Sequence, residues 1–142
     1  MKGDRIPSKH HVGRHCTPSR LLIHEETGLI TGIDPSAFRA DSDGISVNWL
    51  EYHEGAETGS FADMCGLMKA ARKVKLTDRV AVMAVKEIEA TPGVNGGSLH
   101  VEHDPLDGQQ LNPGHSLIKG VGPDDTDVLH ELSVLVDVRV FA

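Results

Sequence analysis

Between residues 45 and 49, apolar Ile45, Val47 and Trp49 alternate with Ser46 and Asn48, and Leu50 continues the second set. That period of two puts the apolar residues on one face of a strand and the more polar ones on the other. The stretch opens at an Asp43-Gly44 turn signal, carries the only Trp and the only Tyr, and closes on Glu51 and His53. It predicts a strand with a buried aromatic face and a polar end suited to lining a pocket.

A helical period follows. Phe61, Met64, Cys65, Met68 and Ala71 recur at helical spacing behind Ser60, an N-cap with Asp63 in a capping-box position. Arg72, Lys73 and Lys75 sit at the C-terminal end, where cations suit the helix dipole. This helix is expected to cover the Ile45, Val47 and Trp49 face. Residues 79–85 alternate and predict a strand, with 86–90 as its extension. After a Pro92-to-Gly97 turn, residues 98–104 predict a second strand, paired with the first as an antiparallel hairpin. Residues 115–121 read as another strand. Asp124, Asp125 and Asp127 put acids at a helix start, and Val128, Leu129, Leu132, Leu135 and Val136 form its apolar stripe. From Val134 the pattern turns to alternation, so the end reads as helix or strand.

Nearer the N-terminus, residues 10–16 read as a strand. Thr17-Pro18 marks a helix start of about one turn. Asp34-Pro35-Ser36 marks a turn or short helix, and residues 1–8 a flexible lead-in. The sum is one α+β domain over residues 1–142, with two main helices near 60–73 and 125–136 packed on a mostly antiparallel sheet.

Composition narrows the classes. Aromatics make up 4% of the 142 residues, so aliphatic side chains must build the core. A net charge of −7 disfavours binding to nucleic acid or an anionic membrane. No apolar stretch approaches the ~18 residues of a membrane span. The basic N-terminus lacks the apolar run of a signal peptide. Two cysteines give no disulfide framework, and the setting is expected to be cytoplasmic. Charge is uneven: residues 1–20 are basic, whereas 102–131 are acidic.

The nine histidines are the main chemical signal, and several of them cluster. In the first cluster His11, Arg14 and His15 are candidate ligand-binding residues, joined by Ser46 and Asn48 from the Trp strand. In the second, His100, Glu102 and Asp104 share a strand face and are the candidate metal ligands, if the protein binds a metal. In the third, the rigid Asn112-Pro113-Gly114 turn presents His115 and Ser116. His115 and Glu51 are the candidate catalytic bases. A phosphate loop and a dinucleotide fingerprint are both missing, so no cofactor is called for.

The strings His10-His11-Val12-Gly13-Arg14-His15, Ser19, Ser46-Val47-Asn48-Trp49-Leu50-Glu51 and Asn112-Pro113-Gly114-His115-Ser116 resemble a family of small bacterial proteins of unknown function. That resemblance implies no activity, cofactor or site. The order of a His or Arg, a Ser and a later Glu also resembles ADP-ribosyltransferase-type sites. Three readings follow. The first is a His/Arg-lined pocket for a small anionic or nucleotide-like ligand, with Arg14 and the imidazoles holding the anion. The second is a non-catalytic module, of adaptor, antitoxin or immunity type, meeting a protein partner through the acidic 102–131 region. The third is a histidine-cluster metal binder.

Overall fold

A computed structural model describes residues 2–39, 44–52, 59–93, 97–108, 111–122 and 125–142. Asp43, His53, Asp124 and residues 94–96 of the expected turn lie outside that set.

The alternating stretches become strands of one antiparallel sheet. In chain order they are β1 (His11–Cys16), β4 (Ile45–Trp49), β5 (Arg79–Ala84), β6 (His100–His103), β7 (His115–Lys119) and β8 (Asp137–Val140), joined in the order β6-β7-β4-β1-β5-β8. A separate small ribbon pairs β2 (Leu21–Ile23) with β3 (Ile30–Ile33). The helices are α1 (Phe61–Ala71), α2 (Val85–Glu89) and α3 (Thr126–Val134). The architecture is α+β, as expected. Among the described residues no helix is long and apolar enough to cross a membrane.

Local chemistry explains the ends of α1. Ser60 accepts from the Asp63 N–H at 3.2 Å, and Asp63 accepts from the Ser60 N–H at 3.0 Å, completing the capping box. Asp125 caps α3 by accepting from the Val128 N–H at 3.4 Å. The alternation after Val134 belongs to a strand, since Leu135 ends α3 and β8 follows.

The sheet carries a core on each face. On one, Ile45 and Val47 pack with Phe38, Val85, Ile88, Leu99, Ile118 and Leu132, with half-buried Trp49 against them. On the other, Met64, Cys65 and Met68 of α1 pack on Val80 and Val82. The helix α1 therefore covers the face opposite to the one expected. Gly13 is the reason it fits there. It pairs with Asn48 on one side and Val82 on the other, and a Cβ on it would lie 2.7 Å from Met64 Cε and 2.9 Å from Val80 Cγ1. Apolar alternation in β4 marks a buried face but does not name the helix that buries it.

Three other expectations are corrected. Residues 86–90 do not extend β5; α2 forms there and buries Val85 and Ile88, one helical turn apart. The segment 98–104 does not pair with β5. Its strand β6 pairs with β7, with His103 opposite Ser116. After Thr17-Pro18 the chain makes a 3-10 turn over Pro18–Arg20 and then enters β2, whose pairing with β3 absorbs Leu21 and Leu22. The N-terminal segment runs along β6, with the Gly3 N–H on the His103 carbonyl at 2.7 Å and the Ile6 N–H on the Val101 carbonyl at 3.0 Å.

Candidate functional site

Strand parity puts Gly13 and His15 of β1, Ser46 and Asn48 of β4, and His115 of β7 on the face that α1 partly covers. β1 and β7 lie two strand spacings apart across β4, about 10 Å. The missing side chain at Gly13 leaves a narrow slot of about 10 Å³, lined by Arg14, His15, Ser46, Asn48, Arg72 and His115 among others. At His15 and Arg72 it meets a wider groove of about 290 Å³, completed by Ala71, Lys73, Leu106 and Asn112.

Both histidines of the slot are held by a carboxylate. His15 Nε2 lies 2.6 Å from Asp78 Oδ2, with the two side chains 9% and 3% exposed. Asp78 stands in the turn before β5, and its Oδ2 also accepts the Lys75 N–H at 3.1 Å. Its Oδ1 is buried and has no hydrogen-bond partner among the described residues. Burial pushes the Asp78 carboxyl up. The Lys75 N–H, the His15 ring and the nearby positive charges outweigh that and hold it below the usual carboxylate range. With Nε2–H given to Asp78, His15 Nδ1 keeps its lone pair, and Arg72 Nη1 approaches it at 3.5 Å.

His115 is held from its other nitrogen. Nδ1 lies 2.8 Å from the Asp104 carbonyl and 3.2 Å from Asp104 Oδ2, and the ring is buried at 6% side-chain plus backbone exposure. Lys2 Nζ shares that carboxylate at 3.5 Å. The turn before His115 is rigid. Asn48 and Asn112 exchange amide hydrogen bonds at 2.8 and 3.0 Å. The Pro113 carbonyl lies 2.7 Å from His103 Nε2, and the Gly114 carbonyl accepts the Trp49 N–H at 2.9 Å.

Of the eight residues predicted to bind or act, His15, Ser46, Asn48 and His115 share this face, and Arg14 borders the slot from a strand position of the opposite parity. Their availability differs. Arg14 is a brace: its Nε donates to the Ala37 carbonyl, and its Nη1 donates to the Ser46 carbonyl at 2.6 Å. The Asn48 amide is committed to Asn112. The other three do not join. His11 and Glu51 close on each other, Nδ1 to Oε2 at 2.7 Å and the His11 N–H to Oε1 at 2.7 Å. Glu51 is thus a strut tying β1 to the end of β4, and the His/Arg, Ser, Glu order does not assemble into a site. Ser116 is fully buried with its Oγ donating to the Gly114 carbonyl at 3.2 Å, on the opposite face from His115.

The metal-ligand expectation is corrected as well. His100 pairs with Glu102 at 2.6 Å, but Asp104 lies past the end of β6 and turns to His115. No group of three or more His, Cys, Asp or Glu suited to a metal gathers among the described residues. The described acids of 102–131 fall in more than one setting. Glu102 and Asp104 are engaged as above, while Asp125, Asp127 and Glu131 line a separate groove of about 470 Å³ beside Gly93.

Arg72, Lys73, Asp78 and the pairing of Asp104 with His115 escape the sequence reading. The β6–β7 pairing was the available signal for Asp104, since a hairpin drawn between the second and third histidine clusters brings it to His115. Asp78 gives no such signal, because it reaches His15 only through the β1–β5 register.

Fold and site define a class: an α+β antiparallel-sheet domain with two carboxylate-held histidines lining a narrow slot that opens on a groove. No family model, curated protein or solved structure matches this chain.

Proposed function

We propose that the protein binds a small anionic ligand of phosphate type in the groove beside α1, with His15 and His115 as its acid–base groups. One observation carries this reading: two imidazoles line the same slot, each with one ring nitrogen tied to an aspartate. A carboxylate partner fixes the ring orientation and tautomer and stabilises the imidazolium, as a proton-transferring histidine needs. Arg72 and Lys73 on the rim supply positive charge, and a guanidinium matches the geometry of a phosphate. His115 keeps the role expected from the sequence. Glu51 gives up its role to His15, and Arg72 replaces Arg14 as the anion contact.

Nitrogen-detected NMR of the histidine rings, titrated with inorganic phosphate and with nucleoside monophosphates, tests this. The expected result is saturable movement of the His15 and His115 ring signals. Arg72→Ala should weaken binding about tenfold or more, the size of one charge-assisted hydrogen bond. Saturable shifts confined to other histidines, or no saturation with either ligand, would overturn the reading.

A further inference from the structure

We propose that β8 is a docking edge for a second copy of this chain, which pairs with it antiparallel about a two-fold axis at Val138. The sheet has two edge strands, β6 and β8. An edge strand turns the N–H and C=O of every second residue outward, where another strand can take them up. The two edges are treated differently. Along β6, residues 3–6 fill the outward groups. The Gly3 N–H meets the His103 carbonyl at 2.7 Å, the His103 N–H meets the Asp4 carbonyl at 2.8 Å, and the Ile6 N–H meets the Val101 carbonyl at 3.0 Å. Among the described residues, the backbone of β8 is hydrogen-bonded to β5 alone. The β2–β3 ribbon comes near β8 but forms no ladder with it. Asp137, Arg139 and Val140 are exposed, Val140 at 63%. Val136, Val138 and Val140 are β-branched, as suits a further strand beside them.

Charge selects both the partner and the register. Across an antiparallel pair, a residue stands opposite one whose backbone groups point the same way along the ladder. A strand meeting its own copy is therefore limited to registers centred on a residue. Two of these, centred on Val138 and on Arg139, keep most of β8 (Asp137–Val140) paired. Centred on Arg139, two guanidiniums stand directly opposite each other, which is destabilising. Centred on Val138, each Asp137 stands opposite the other copy's Arg139, so the pairing gains two opposite-charge contacts. Asp137 and Arg139 share one strand face, since Arg139 Nε already reaches Asp137 Oδ2 at 2.8 Å within the chain. On the other face Val138 meets Val138, and exposed Val140 meets half-buried Val136. Arg139 lies over the Phe61 ring at 5.1 Å, so its face is the one α1 covers, and the joined sheet carries both copies of α1 on one side. The cover on β6 stops head-to-tail growth, leaving a closed pair.

Analytical ultracentrifugation of the full chain tests this. At about 100 µM, a concentration suited to a small interface, the mass should approach twice that of the 15.3 kDa chain and fall back on dilution. Asp137→Arg alone and Arg139→Asp alone should each weaken association about tenfold or more, because each sets like charges opposite at two places. Mixing the two variants should restore it. Each variant has lost the charge pair within its own chain, so the restored attraction can lie only between copies. Both positions are exposed, and circular dichroism with Trp49 fluorescence checks that each variant keeps its fold. A wild-type chain that stays monomeric at about 100 µM would overturn the proposal. So would a mixture that associates no better than either variant alone, or growth beyond two copies.

Discussion

At the scale of single residues, Asp78 shows how burial turns an ordinary carboxylate into a positioning group. It is 3% exposed, and its Oδ2 takes both the His15 ring and the Lys75 N–H. Its pKa is held down in the folded protein despite burial. A depressed carboxylate adds stability that is present above its unfolded value, about 3.9, and is lost as pH falls through the folded value. Asp78→Asn should therefore cost about 1–3 kcal/mol at neutral pH, the scale of a buried hydrogen-bonded group losing a partner. Below about pH 4 that difference should shrink, because the unfolded wild-type chain then takes up a proton that the folded carboxyl still resists. Urea unfolding of both proteins at pH 7 and pH 3 measures it, and an equal loss at the two pH values would contradict the argument. None of this was legible in the residues around Asp78, which lie between a run of cations and a Val-rich strand. His15, by contrast, stands out in the sequence because its histidine neighbours draw the eye.

At the scale of elements, the individual strands and helices were largely legible, and their pairing was not. The period of β4, the capping box of α1 and the acid-rich start of α3 act within a few residues, so the sequence displays them directly. Which face α1 covers depends on Gly13, far from both β4 and α1 in sequence. The short α2 hid inside an apparent strand extension because Val85 and Ile88 suit either period. Gly13 yields a prediction of its own. Its backbone needs no left-handed conformation, so the cost of a side chain there is purely steric. A Cβ would meet Met64 Cε at 2.7 Å and Val80 Cγ1 at 2.9 Å, and the Met64 end can move more easily than the branched Val80. Gly13→Ala should destabilise by about 1–3 kcal/mol, the usual cost of overpacking. Adding Met64→Leu should recover part of the loss if the helix contact is the cause. Chemical denaturation of the single and double variants decides it, and additive losses would refute the contact.

At the scale of the whole molecule, one sheet serves two cores, and the two cysteines sit one in each. Cys16 belongs to the cluster of Val12, Ile45 and Leu132, and Cys65 to that of Met64, Met68 and Val80. Both thiols are free and buried. Burial pushes the Cys16 thiol up to about 11, partly offset by the Arg14 charge, so almost no thiolate exists at neutral pH. The sequence already favoured the reading of Cys65 as a small buried hydrophobe, through its place on the apolar stripe of α1. It did not reveal that the two thiols report on different faces. Because β1, β4 and β5 form the floor of both cores, losing one core should unpair the strands beneath the other. Neither thiol should react appreciably with a disulfide reagent in the native protein. Both should become reactive over the same urea range, coincident with the change in Trp49 fluorescence and in far-ultraviolet circular dichroism. Single variants Cys16→Ala and Cys65→Ala assign the signals. If Cys65 reacts at lower urea than Cys16, α1 detaches before the sheet melts, and the groove carrying His15 and Arg72 opens as a unit separate from the larger core.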